Sequence, residues 1–280
     1  MLKEDNIKTS TQRSVASFPV RRMDYQFKNT QKYWCNNDPV YTHFFTGLST
    51  LFPEGEAYFV RSVRHFRKEI KNPNLDKDIG AFIGQEAMHS KEHHAFHRAA
   101  EQYNLDPASL EKITGIAFKT IEKYFPKKWN LLLTLGIEHY TAVLVSYMMS
   151  DVNKMITDDT IRNLWLWHSI EETEHKAVVF DLYQEIYGTK LDAYIPRVII
   201  FTFSLVLITT LTHISHISLL KRDKQLFNFK SWVRFLKFGS KSYSIFIPRF
   251  LDFYRFDFHP NDHDESELVS FTKAKLALLN

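Results

Sequence analysis

One cysteine, Cys35, stands among 280 residues. That excludes an intramolecular disulfide framework and any zinc site built on several cysteines. Glycine (8) and proline (9) are scarce, which leaves little room for a turn-rich all-β fold or a Gly/Pro repeat. Neither sign of charge prevails: 36 Lys and Arg against 32 Asp and Glu leave a formal net charge of +4. Nucleic acid is therefore not an expected partner, since its phosphates call for clustered cations. The first residues lack the apolar stretch of a secretory signal. Arg13, Arg21 and Arg22 are offset by Glu4 and Asp5, so an organelle signal is not expected either. A cytoplasmic location is the default, with membrane association left open by one apolar segment.

Hydrophobic residues make up 44% of the chain and charged residues 24%, the balance of a globular protein. The 24 phenylalanines predict an aromatic core or binding surface. Residues 198–220 contain no Lys, Arg, Asp or Glu, and roughly 20 apolar residues suffice to cross a bilayer. The run also carries Ser, Thr, His213 and His216, and Arg197, Lys221 and Arg222 place positive charge at both its ends. Two readings stand: a helix embedded in or docked on a membrane, or one buried between protein layers.

Periodicity and punctuation predict an all-α chain. Residues 1–50 read as an irregular arm, 51–190 as a four-helix bundle, and 191–280 as the apolar helix with a basic, aromatic helical tail. A first helix opens near Pro53, a residue suited to a first turn, and runs to about Ile70. Others follow over about Leu75–Tyr103, Ala108–Tyr124, Pro126–Ser150 and Asp158–Tyr187, the last stopped by Gly188. Two short helices are expected in the tail.

Glutamate and histidine recur on four of these helices: Glu56, Glu86-x-x-His89, Glu138 and Glu172-x-x-His175. A four-helix bundle holds a di-iron or di-manganese centre with one Glu from each of two helices and a Glu-x-x-His from each of the others. Residues three apart share a helix face, so each pair can aim at one site. The ligands also fall in apolar stripes, such as Ile79, Phe82, Glu86, His89 and His93. A carboxylate buried there needs a partner or a cation. His168 and His93 lie on the same faces, and either offers a seventh ligand. Glu171 and Glu174 face elsewhere, so Glu171→Ala is expected to leave metal binding intact. His94, His97 and His139 leave the stripes. Glu92 and Asp181 are candidates for orienting a ligand imidazole, and Tyr58, Tyr140 and Tyr183 for redox or proton transfer.

The segments FIGQEAMHSKEHHAF (82–96), LGIEHYTA (135–142) and LWLWHSIEETEHKAVVFDLY (164–183) resemble a bacterial family labelled predicted metal-dependent hydrolases. The resemblance covers roughly residues 18–260 and implies a ferritin-like fold with a dinuclear metal site. The His168, Glu172, His175 spacing is also similar to that of di-iron arylamine N-oxygenases. That resemblance implies a ligand set of Glu56, Glu86, His89, Glu138, His168, Glu172 and His175, with His93 as a further candidate.

The favoured expectation is a dioxygen-activating di-iron oxidoreductase, an oxygenase, oxidase or desaturase, acting on an apolar or amphiphilic small molecule. It would need two Fe ions and an external electron donor, since no flavin or iron–sulfur motif is present. The alternative is a metal-dependent hydrolase using two ions, with Mn or Zn in place of Fe. The third is a non-catalytic iron-handling protein. Membrane contact through 198–220 and a homodimer complete the expected partners.

Overall fold

The computed structural model describes residues 18–278. Glu4, Asp5 and Arg13, with the rest of residues 1–17 of the expected arm, lie outside them. Among the described residues the regular elements are helices, and one isolated bridge joins Cys35 to Ile156.

Ten α-helices follow one another: α1 (Pro39–Ser49), α2 (Phe52–Phe66), α3 (Pro73–Ala100), α4 (Pro107–Tyr124), α5 (Lys127–Ser150), α6 (Asp159–His175), α7 (Val178–Tyr187), α8 (Leu191–Arg222), α9 (Phe229–Asp252) and α10 (Ser266–Lys275). Their starts follow local chemistry. The side chains of Asp38, Asn72, Asp106 and Asp158 accept from backbone N–H groups of the first turns of α1, α3, α4 and α6, which satisfies donors a helix leaves free. Gly188, at φ +75°, ends α7, a conformation glycine adopts without steric cost.

Three expectations need correction. Residues 39–49, assigned to the irregular arm, form α1, because Asp38 caps it and ten of its residues bury their surface. The helix expected over 158–187 is two, α6 and α7. Lys176 (φ −50°, ψ −23°) and Ala177 (φ −98°, ψ −12°) keep right-handed dihedrals, so the interruption is a loosened turn. The tail opens with α9, which runs for 24 residues and is not short.

Helices α2 and α3 pack together, α5 packs on α6, and α2 and α3 close against α5 and α6. Helix α8 lies across α1 and α5. Small residues permit this approach. A Cβ on Gly47 of α1 would sit 2.9 Å from the His216 backbone nitrogen, and one on Gly136 of α5 would sit 2.7 Å from Ser204 Oγ. Leu131, Leu135, Phe201, Ile208 and Phe253 belong to one core cluster, so the stretches 51–190 and 191–280 share a core.

Among the described residues two helices, α5 and α8, are long and apolar enough to cross a membrane. Most of α5 is buried in protein, whereas α8 buries one face and exposes the other. Its outward stripe includes Ile195, Ile199, Val206, Ile214 and Ile217. Residues 198–220 therefore bury one face in protein and leave an apolar face exposed.

Candidate metal centre

Helices α2, α3, α5 and α6 bring seven side chains to one place in the core: Glu56, Glu86, His89, Glu138, His168, Glu172 and His175. Each is at most 2% exposed. Glu172 stands in the middle. Its Oε1 lies 3.0 Å from His168 Nε2 and 3.7 Å from His89 Nδ1, while its Oε2 lies 3.5 Å from His175 Nε2. On the first side Glu56 Oε1 is 4.0 Å from His168 Nε2. On the second, Glu86 Oε1 and Glu138 Oε2 stand 3.2 and 3.4 Å from His175 Nε2.

Three overlapping groups, each with one ligand atom per residue within 4.8 Å of the others, have the composition to hold a cation: Glu56, His89 and His168; Glu86, His89 and Glu172; Glu86, Glu138 and His175. Glu56 Oε1, both oxygens of Glu86 and Glu138, His89 Nδ1 and His175 Nε2 are buried without a hydrogen-bond partner. Native interiors rarely leave such atoms unsatisfied. Their convergence fits a bound cation, and the donor set of carboxylate oxygens and imidazole nitrogens suits Fe, Mn or Zn.

Electrostatics agree. Burial first, then the neighbouring carboxylates, pushes the Glu56, Glu86 and Glu138 carboxyls well above the usual range. Burial raises Glu172 as well, but His175 and His168 outweigh it and hold that carboxyl low. Burial lowers His89 to about 3 and His168 to about 4, which keeps both imidazoles neutral, the form that ligates a metal. Four carboxylates without cations repel one another in a dry core.

The surrounding bonds orient the side chains of the cluster, as outer partners in metal sites do. Thr141 Oγ1 donates to Glu172 Oε2 at 2.7 Å, and Ser90 Oγ donates to Glu56 Oε2 at 2.9 Å. His175 Nδ1 lies 3.0 Å from Gln85 Oε1. His89 Nε2 lies 3.1 Å from Glu171 Oε2, and Arg21 donates to Glu171 Oε1 at 3.0 Å. Glu171 is fully buried, and burial raises its carboxyl to about 7 although Arg21 opposes this. The expectation that Glu171 faces away is corrected: α6 is buried on nearly all sides, so no stripe separates an inner from an outer face.

His93 is also corrected. It does not join the cluster. Its Nε2 lies 2.8 Å from His168 Nδ1 and its Nδ1 lies 2.7 Å from Ser49 Oγ, so neither nitrogen is left for a cation. Ser49 Oγ continues to His97 Nε2 at 2.7 Å, His97 Nδ1 bonds Glu111 Oε1, and Glu111 Oε2 meets the half-exposed His94 at 2.9 Å. One orientation satisfies the row: each group donates outward, from His168 Nδ1–H to the Glu111 carboxylate.

The other candidates lie elsewhere. Glu92 accepts from the backbone N–H groups of Asp24 and Tyr25 and so pins the N-terminal segment. Asp181 bonds His259. Tyr58 and Tyr183 bond backbone or amide oxygens away from the cluster, and His139 packs among Phe201, Phe253 and Phe258.

A cavity of about 390 Å³ opens beside the cluster. His168 and Thr141 form its inner end, and the exposed His213, Tyr243 and Ile247 mark its mouth between α8 and α9. A small cavity of about 20 Å³ lies against Glu56 and Glu172, room for about one water. Phe52, Tyr140 and Thr141 line both.

The class this defines is an all-helical protein with a buried cluster of carboxylates and imidazoles suited to a metal. The chain belongs to the family described as predicted metal-dependent hydrolase, whose model matches residues 19–264. No match was found among the curated proteins or the solved structures.

Proposed function

We propose that the chain is a metal-dependent hydrolase with a dinuclear site in a ferritin-like bundle of α2, α3, α5 and α6. The observation that carries the dinuclear reading is Glu172, whose two oxygens face different histidines. Glu56, His89 and His168 would hold one ion, Glu138 and His175 the other, with Glu86 and Glu172 between them. Four ionised carboxylates carry −4, which two divalent cations neutralise. Such ions, when bound, supply Lewis acidity toward a water and a substrate oxygen. The chain's own part is positional. Thr141 fixes the Glu172 carboxylate, His93 and Glu171 fix the imidazoles of His168 and His89, and Phe52 and Tyr140 wall the small cavity from the large one.

This order of readings reverses the expectation from sequence. The family description favours hydrolysis, and nothing in the comparisons favours dioxygen chemistry. One observation keeps an oxygenase as the second reading: the ligand set is rich in carboxylates and abuts an apolar cavity.

We place the protein at a membrane surface. Helix α9 exposes Phe229, Val233, Leu236, Ile247 and Leu251, and α8 exposes Ile199 and Val206 beside it. Lys224, Lys230, Lys237 and Lys241 fall within residues 224–251, which contain no Asp or Glu, whereas Arg234 and Arg249 are taken up by Asp38 and Glu265. A helix with an apolar stripe flanked by cations suits the interface of an anionic bilayer.

The test is to strip the protein with chelator, reload it with Zn, Mn or Fe(II), count ions per chain and assay activated esters and phosphodiesters. The reading expects two ions and hydrolysis that both Glu86→Ala and Glu138→Ala abolish. Hydrolysis equally fast in stripped protein overturns it. Oxygen uptake on Fe(II) loading without hydrolysis moves the conclusion to the second reading.

A further inference from the structure

We infer that the cavity between α5, α8 and α9 is the binding site for the alkyl chain of a single-chain amphiphile, with its polar group at the carboxylate–histidine cluster. The inference deepens the hydrolase reading and rests on it for the role of the inner end, but the binding itself stands on the cavity.

The lining contains no Lys, Arg, Asp or Glu. A charged or strongly polar ligand would lose its hydration along most of this path and find little in return. Leu144, Val145, Leu205, Phe246 and Phe250 instead offer continuous apolar contact. The volume falls within the range of small-ligand sites, and apolar cavities take up apolar guests.

Beyond the scattered hydroxyls of Thr209, Thr212 and Ser242 and the Trp165 indole, polar side chains mark the inner end and the mouth. Thr141 and His168 are inside, and both touch Glu172. His213 and Tyr243 stand at the mouth. An amphiphile therefore has one productive direction, polar group inward and chain outward. The mouth opens between the two helices that carry the exposed apolar stripes, and Ile247 belongs both to the lining and to that surface. A chain leaving a lipid surface would pass only His213 and Tyr243 before it meets the apolar lining.

Gly239 supplies a clean test. It lines the cavity, and a Cβ built on it meets nothing within 4 Å. The first atom of a side chain there is therefore unobstructed, so Gly239→Trp adds bulk at the cavity wall, and it replaces a residue that weakens helices. The probe is 11-(dansylamino)undecanoic acid, followed by fluorescence in the metal-loaded full-length protein without vesicles and displaced by n-alkanols. The inference expects one probe per chain and alkanol displacement that tightens with chain length. It expects at least a ten-fold loss of affinity in both Gly239→Trp and Leu144→Trp, with melting temperature and metal content unchanged. Probe binding unaffected by both substitutions, or displacement independent of chain length, overturns it. Chain-length-dependent binding without hydrolysis of any ester would leave this inference standing and remove the hydrolase reading. Hydrolysis of short esters with no probe binding would do the opposite.

Discussion

The Nε2 of His93 lies 2.8 Å from the Nδ1 of His168, and both rings are buried. This bond fixes which nitrogen of His168 faces Glu172. His168 would ligate a metal through Nε2 while Nδ1 keeps its proton, and His93 is the acceptor placed to hold that proton.

Replacing His93 should therefore loosen the metal without removing it. His93→Leu leaves the Nδ1 proton unsatisfied, and metal affinity should fall roughly 10- to 100-fold, the usual cost of losing such a partner. His93→Gln restores an acceptor and should recover part of the loss. Competition with a chromogenic chelator measures both. Equal affinity in His93→Leu and the unsubstituted protein would show that His168 needs no orientation from His93.

Glu171 plays the corresponding part for His89 from the other side of the site. Glu171→Ala removes the acceptor of His89 Nε2–H and leaves Arg21 with Glu174 as its carboxylate partner. Metal affinity should drop by roughly ten-fold or more, while Glu171→Gln, which keeps an acceptor oxygen, should lose less. Isothermal titration with Zn or Mn distinguishes the two. This reverses what the helical spacing alone predicts for Glu171→Ala.

The reversal shows where the sequence was readable. Glu56, Glu86, His89, Glu138, His168, Glu172 and His175 converge, and they are legible because Glu86, Glu138 and Glu172 each put a carboxylate inside an apolar stripe, an anomaly that needs a partner and repeats on three helices. Glu171 carried no such mark. The run Leu164–Ile170 is buried throughout, and a helix apolar all round has no hidden face to infer. Its partner Arg21 comes from a segment 150 residues away in sequence. Ser49, which joins His93 to His97, belongs to α1, within the arm that periodicity predicts to be irregular. The cavity was equally invisible, because it forms where α5, α8 and α9 meet.

Asp223 gives a pH dependence independent of the metal. Burial raises its carboxyl, but His43, Lys32 and Tyr33 outweigh this and hold it at about 2. His43 Nε2 lies 2.8 Å away, Tyr33 donates at 2.9 Å, and Lys32 forms an ion pair. The unfolded value is about 3.9, so the folded state binds this proton less readily. Its contribution is complete above about pH 4 and is lost as pH falls toward about 2. Asp223→Asn should therefore lower stability at neutral pH, and the gap to the unsubstituted protein should close between about pH 4 and 2. Urea denaturation of both metal-stripped proteins across that window measures it. A gap that persists at pH 2 would mean that packing at Asp223, and not its charge, sets the difference.

The exposed face of α8 and α9 makes the last prediction. Leu236 is 64% exposed and Phe229 73% exposed, a poor arrangement in water but a suitable one at a bilayer interface. The lysines beside them separate this from simple stickiness, because cations near an anionic surface each contribute about 1 kcal/mol of attraction that salt screens. Purified protein should co-sediment with vesicles containing phosphatidylserine and much less with phosphatidylcholine alone. Reversing Lys230, Lys237 and Lys241 to Glu should abolish the preference for the anionic lipid. Val233→Ser with Leu236→Ser should weaken binding to both. Raising salt should release the protein only where charge dominates, so binding insensitive to salt but lost in the serine variant would assign the surface to apolar insertion. Binding to neither vesicle would leave the apolar face without a lipid partner, and the membrane placement would be withdrawn.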